Sequence, residues 1–204
     1  MVFFKIFRHI RMKFLSAFFA AFLITAGSVS AQNGFNEIKV GLTGHNFFKS
    51  TTIGNFWEPS KGIGLKLSTP YYFGSLETGV RYVRYNELAF EDSGFHSTFV
   101  FAGWKYPYWV SEDLALISGF RLGINFLTQD QDKFYEELRF QSNESEFSFE
   151  FTGRLNMKVS DNIHIHVGVS YNRTLLEIPF TVWYGNAGLA FSFGSPGWLK
   201  TFLK

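Results

Sequence analysis

From Glu146 to Val159 the chain alternates with a period of two. Phe147, Phe149, Phe151, Leu155, Met157 and Val159 share one parity, and Glu146, Ser148, Glu150, Thr152, Arg154, Asn156 and Lys158 occupy the other. Successive side chains of a strand point to opposite faces, so the segment makes one oily face and one charged face. A helix would scatter both sets around its circumference. The pattern recurs as Ile163, Ile165, Val167, Val169 and Tyr171 against His164, His166, Gly168, Ser170 and Asn172. It recurs again as Leu114, Leu116, Phe120, Leu122, Ile124 and Phe126 against Gly119, Arg121, Gly123 and Asn125.

Eight such segments are expected, over 36–47, 61–73, 75–89, 95–110, 114–127, 145–159, 162–173 and 180–193. In the fourth, Thr98, Val100, Ala102, Trp104, Tyr106 and Tyr108 take the oily side and Lys105 the polar one. Arg84 falls on the oily parity of the third, which places it near a rim. The connections alternate in length. Phe73-Gly74-Ser75, Ser111-Glu112-Asp113 and Ser160-Asp161-Asn162 are tight and use turn-forming residues. Between them come longer ones at 48–60, 90–94, 128–144 and 174–179. Short turns at one end, longer loops at the other and no helix of useful length describe an all-β, antiparallel, up-and-down barrel.

Alternation alone does not say which face is outside; the charges decide. Glu37, Lys39, Lys66, Glu77, Arg81, Lys105, Arg121, Glu150 and Arg154, with His164 and His166, all fall on the polar parity. An eight-stranded barrel has a bore just wide enough for side chains to fill. Charges of both signs can pair there, whereas a greasy calyx lined by them would be costly to desolvate. An outer face of Phe, Leu, Ile and Val suits lipid. The expectation is therefore a transmembrane barrel, apolar outside, with a lumen plugged by ion pairs. Aromatic girdles are expected at Tyr71, Tyr72 and Phe73, at Tyr106, Tyr108 and Trp109, and at Trp183 and Tyr184.

Composition narrows the alternatives. Phe, Tyr and Trp make up 20% of the 204 residues, too many for a disordered chain. With no cysteine there is no disulfide scaffold and no thiolate zinc site.

Residues 1–31 read as a signal peptide. Lys5, Arg8, Arg11 and Lys13 form a basic start, Phe14 to Ala26 an apolar run, and Val29-Ser30-Ala31 a cleavage site. That run is short for a bilayer-spanning helix. Met12 is an alternative start, since 12–31 is a compact signal by itself. Beyond residue 31, 15 basic residues face 17 acidic ones, net −2, so the basic character belongs to the signal. No nucleic-acid surface is expected. The domain plan is 1–31 signal, 32–193 barrel and 194–204 a short C-terminal tail, with export to the cell outer membrane.

The last strand carries Asn186-x-Gly188-x-x-Phe191-x-Phe193. This resembles the C-terminal signal by which bacterial outer-membrane barrels are recognised by the barrel assembly machinery, although here eleven residues follow Phe193. Over 32–193 the chain resembles the small eight-stranded outer-membrane proteins: the OmpA transmembrane domain, the OmpX-like barrels and the porin-family barrels of Bacteroidota. The resemblance implies a Gram-negative outer-membrane protein in contact with lipid and lipopolysaccharide, often without enzymatic activity. External ligands would be met by loops 48–60 and 128–144.

Two eight-stranded families do modify lipid A, a deacylase and a palmitoyltransferase. The deacylase carries His-x-Ser and a following Asn, with a glutamate on the neighbouring strand. Here the comparable strand reads His166, Ser170 and Asn172, with Glu150 before it, but His-x-Ser is missing. Val169 and Tyr171 stand where the family's pair would fall. No catalytic residue, cofactor or metal is assigned on these grounds. His164, His166 and His45 could share a face, but no carboxylate spacing supports a metal set. The reading is a non-enzymatic structural or surface-binding barrel, with a small-solute pore or a lipid A acyl hydrolase or transferase as alternatives.

Overall fold

The computed structural model describes residues 35–50, 57–88, 94–130, 143–176 and 180–197, with side chains in the first stretch through Phe48. Residues 1–34, 51–56, 89–93, 131–142, 177–179 and 198–204 lie outside the described residues, and with them the expected signal peptide, most of the two expected ligand loops and the end of the expected tail.

The strands are β1 (Glu37–Ser50), β2 (Trp57–Pro59), β3 (Gly62–Tyr71), β4 (Gly74–Glu87), β5 (Phe95–Trp109), β6 (Leu114–Gln129), β7 (Asn143–Ser160), β8 (Ile163–Thr174) and β9 (Phe180–Gly194). Every pairing is antiparallel. β1 pairs with β3, each strand from β3 to β9 pairs with the next, and β9 returns to β1. The sheet thus closes into an eight-stranded ring without an open edge. That is the condition for a sheet to sit in hydrocarbon, where an unpaired backbone group finds no water. β2 is no ninth stave. It continues the line of β3 and pairs with β4 through Trp57↔Glu87 to Pro59↔Tyr85, with Ser60 N–H donating to Arg84 O at 2.7 Å across the break.

Two parts of the expected long loop at 48–60 are therefore strand. β1 runs to Ser50 through an irregularity between Phe47 and Lys49, and 57–59 is β2. Likewise 128–129 and 143–144 belong to β6 and β7. These ends alternate poorly, so periodicity failed to reveal them; their pairing with long neighbours carries them.

The turns at one end are tight. Tyr71 pairs directly with Gly74, and Tyr72 takes the left-handed conformation (φ 49°) usually given to Gly or Asn. Val110 N–H and Ser111 N–H both donate to Leu114 O, at 2.9 and 3.1 Å. Ser160 pairs with Ile163 across Asp161 and Asn162.

Polarity is inverted relative to a soluble protein. Leu42, Leu65, Val100, Leu122, Phe151, Val167 and Phe191 are exposed on the outer wall, while Glu77, Arg81, Arg121, Glu150 and Arg154 are buried. Trp109 and Tyr72 are exposed beside the turns, and Trp183 is exposed near the opposite end. Tyr184 departs from the girdle expectation: it is 2% exposed and points inward. Adjacent strand residues cannot share a face, so Trp183 outside fixes Tyr184 inside.

Candidate functional site

Strand parity delivers the lumen. On β4, Glu77, Arg81, Val83 and Tyr85 are separated by even steps and all are buried. On β7 the same spacing brings in Ser148, Glu150, Thr152 and Arg154, and on β8 His164, His166, Ser170, Asn172 and Thr174. The bore divides along its axis into layers.

The middle layer is ionic. Arg121 Nε and Nη2 donate to Glu77 Oε1 at 2.7 and 2.5 Å, and its Nη1 donates to Glu150 Oε1 at 2.5 Å. Arg81 Nη1 donates to the other oxygen of Glu150. Arg154 donates to both oxygens of Glu77, at 3.2 and 3.4 Å. Lys105 Nζ reaches Glu77 Oε2 at 3.4 Å and Ser68 Oγ at 2.8 Å. Two carboxylates thus hold three arginines and a lysine. Charge-assisted, partly bidentate bonds of this kind are what makes such burial tolerable. Sequence proximity suggests Arg154 beside Glu150, four residues away on β7. The side chain instead crosses the bore to Glu77 on β4, because Glu150 is already taken by Arg81 and Arg121.

Aromatic rings seat these guanidiniums. Arg81 Cζ lies 4.4 Å from the Tyr184 ring centroid and 5.1 Å from that of Phe99. Arg121 Cζ lies 4.3 Å from the Phe101 centroid. Phe99 and Phe101 are buried on the polar parity of β5. The parity placed them there, but a search for charges passes over them.

Toward the loop end the bore carries a neutral polar group beside an apolar one. Ser97 Oγ donates to Asn125 Oδ1 at 2.7 Å, and Asn125 Nδ2 and Ser148 Oγ both donate to Thr174 Oγ1, at 3.2 and 2.8 Å. At the same height, Val83 pairing with Ser97 and Phe180 with Thr174, lies a cluster of Val83, Tyr85, Phe180, Val182 and Tyr184 packed against Phe47, Trp57, Phe95, Leu127 and Leu176. The two tyrosine hydroxyls meet at 2.7 Å.

Toward the turn end the bore is basic. Glu37 and Lys39 pair at 3.5 Å, and Lys39 Nζ donates to His164 Nε2 at 3.3 Å. Lys66 Nζ donates to His166 Nε2 at 2.9 Å.

The candidate nucleophile arrangement does not assemble. Ser170 accepts from Asn186 Nδ2 at 3.0 Å, whereas His166 serves Lys66 and Thr43, and Glu150 is occupied by arginines. Among the described residues no group of three or more His, Cys, Asp or Glu could hold a metal ion. The motif residues Asn186, Gly188, Phe191 and Phe193 lie on β9, the strand that closes the ring on β1. Asn186 is buried, and Phe191 and Phe193 face outward.

A polar group sits on the outer wall near the loop end. His96 Nε2 is 2.6 Å from Asp130 Oδ1, Arg84 Nη2 donates to Asp130 Oδ2 at 3.0 Å, and Tyr82 OH meets His96 Nδ1. Arg84 is therefore at a rim, at the loop ends of β4, β5 and β6.

These features define a class: a closed eight-stranded transmembrane barrel with an apolar coat and a bore filled by side chains. No family model matches the chain, and no curated protein matches it. Solved structures do. Neisserial surface protein A aligns with a TM-score of 0.55 and 17% identity, over 81% of this chain and all of that one. The N-terminal β-barrel domain of Pseudomonas aeruginosa OprF gives 0.54 and 14%, over 78% and 99%. P. aeruginosa outer membrane protein H gives 0.51 and 16%, over 77% and 99%. The fold is thus that of the small outer-membrane barrels.

Proposed function

We propose that this chain is an outer-membrane protein with a sealed lumen and a structural or surface-binding role, not a channel or an enzyme. The observation that carries the reading is the Glu77–Arg121–Glu150–Arg81 bridge beneath the Val83–Tyr184 layer. Charged and apolar seals follow one another along the same bore. Opening a path would break several buried charge-assisted bonds at once. The outer coat favours lipid as its surroundings, and the fold's neighbours are outer-membrane proteins. Export by the 1–31 segment, delivery by the assembly machinery through Asn186, Gly188, Phe191 and Phe193, and contact with lipopolysaccharide or an external ligand through the loop end complete the proposal. Planar-bilayer recording of the refolded protein tests it. A silent membrane at high protein loading is expected; stepwise conductance would overturn the sealed reading. Lipid A from cells with and without the gene should carry identical acyl chains by mass spectrometry.

A further inference from the structure

The charges of the bore do not balance. Among the described residues between the turn end and the Phe99–Tyr184 layer, Lys39, Lys66, Arg81, Lys105, Arg121 and Arg154 face only Glu37, Glu77 and Glu150. Lys158, at the turn, is matched by Asp161 at 2.8 Å. Glu77 and Glu150 are already shared among four cations. Lys66, 8% exposed, makes no ion pair among the described residues; its ammonium meets the imidazole nitrogen of His166. Withdrawing an uncompensated ammonium from water is costly, and more so inside a membrane.

One serine takes one ammonium directly and neighbours two further lysines in the sheet. Ser68 is two residues from Lys66 on the same face of β3, it accepts from Lys105 Nζ, and Lys39 is its direct partner on β1. Lys39 also pairs across to Ser192 of β9, whose buried hydroxyl has no hydrogen-bond partner; Arg154 Nε is likewise buried and unpartnered. Access is graded. Side-chain exposure falls from 27% at Lys39 to 15% at Lys105 and to zero at Glu150. Among the described residues the turn end thus forms a vestibule that is partly exposed at Lys39, closed at Glu150 and lined by surplus donors.

We propose that this vestibule binds one small inorganic anion, of chloride or phosphate chemistry, at Lys66, with Lys39 and Lys105 along its approach. The anion supplies the negative charge that the carboxylates lack and accepts from ammonium hydrogens left without an acceptor. The site does not depend on whether the barrel conducts.

Chloride-35 NMR of the refolded protein in zwitterionic detergent, with gluconate as the bulk counter-ion, tests it. Wild-type protein is expected to broaden the chloride line severalfold more than Lys66→Met, while Lys61→Gln, an exposed lysine at the other end, behaves as wild type. Inorganic phosphate that narrows the line shares the site, and phosphate without effect restricts the site to chloride; either supports the proposal. Equal broadening by wild type and Lys66→Met, or none by either, overturns it. Should Lys66→Met fail to show the heat-modifiable gel shift of a folded barrel, Lys39→Gln takes its place. That variant is expected to broaden the line less than wild type, and an unchanged line overturns the proposal.

Discussion

Arg121 holds Glu150 through Nη1 at 2.5 Å while its Nε and Nη2 hold Glu77. One guanidinium therefore joins the two carboxylates that organise the plug. Removing Glu150 strands Arg81 and leaves Arg121 with Glu77 alone. Glu150→Gln is expected to cost about 3–5 kcal/mol, the usual penalty for leaving buried charge unpaired. Urea unfolding in lipid vesicles, followed by tryptophan fluorescence, measures it. In a double-mutant cycle, Arg121 and Glu150 should couple strongly, whereas Arg154 and Glu150, linked only through Glu77 and Arg121, should couple more weakly.

The rings beneath the guanidiniums should matter separately from the charges. Phe101→Leu keeps most of the volume but removes the face that Arg121 rests on, with an expected loss of about 1–2 kcal/mol. Phe101→Ala adds a cavity and should cost about 3–5 kcal/mol. If Phe101→Leu costs nothing while Phe101→Ala keeps its full cost, packing alone explains Phe101 and the ring–cation contact contributes nothing.

Parity made most of this barrel legible. Once Phe151 and Glu150 are placed on opposite faces, the count of charges on one parity turns the barrel inside out, and the layer holding Glu77, Arg81, Arg121, Glu150 and Arg154 follows. What parity cannot supply is the partner across the bore. Strands tilt and stagger as a sheet closes, so Arg154 meets Glu77 from a strand some 77 residues away in sequence instead of Glu150 on its own strand. Tyr184 shows a second limit. Aromatic residues near strand ends suggest a girdle, but a pair such as Trp183 and Tyr184 must send one ring each way. The Arg84–Asp130–His96 group arises where three strand ends meet, a juxtaposition no local pattern encodes.

Gly188 has a packing reason to be glycine apart from any recognition role. A Cβ there would lie 2.1 Å from Leu42 O of β1 and 2.8 Å from the His166 ring, so the seam between β9 and β1 could not close unchanged. Gly188→Ala is expected to destabilise the barrel by about 1–3 kcal/mol and to slow refolding of purified protein into vesicles, where no assembly machinery is present. Unchanged refolding and stability would reserve this glycine for recognition alone.

The outer coat makes the most direct prediction. Val167 is 58% exposed at mid-wall, paired with Leu155 and Ala187. In water, an arginine at so exposed a position is close to neutral. In a bilayer it should cost about 2–4 kcal/mol at the midplane and near zero to 1 at the interface. Val167→Arg is therefore expected to destabilise the vesicle-embedded barrel strongly, and Val110→Arg, at a turn and 68% exposed, only slightly. Depth, not exposure, separates the two. Equal and small losses in both variants would mean that the wall around Val167 faces water and that the exposed Phe, Leu and Val residues are not a membrane belt.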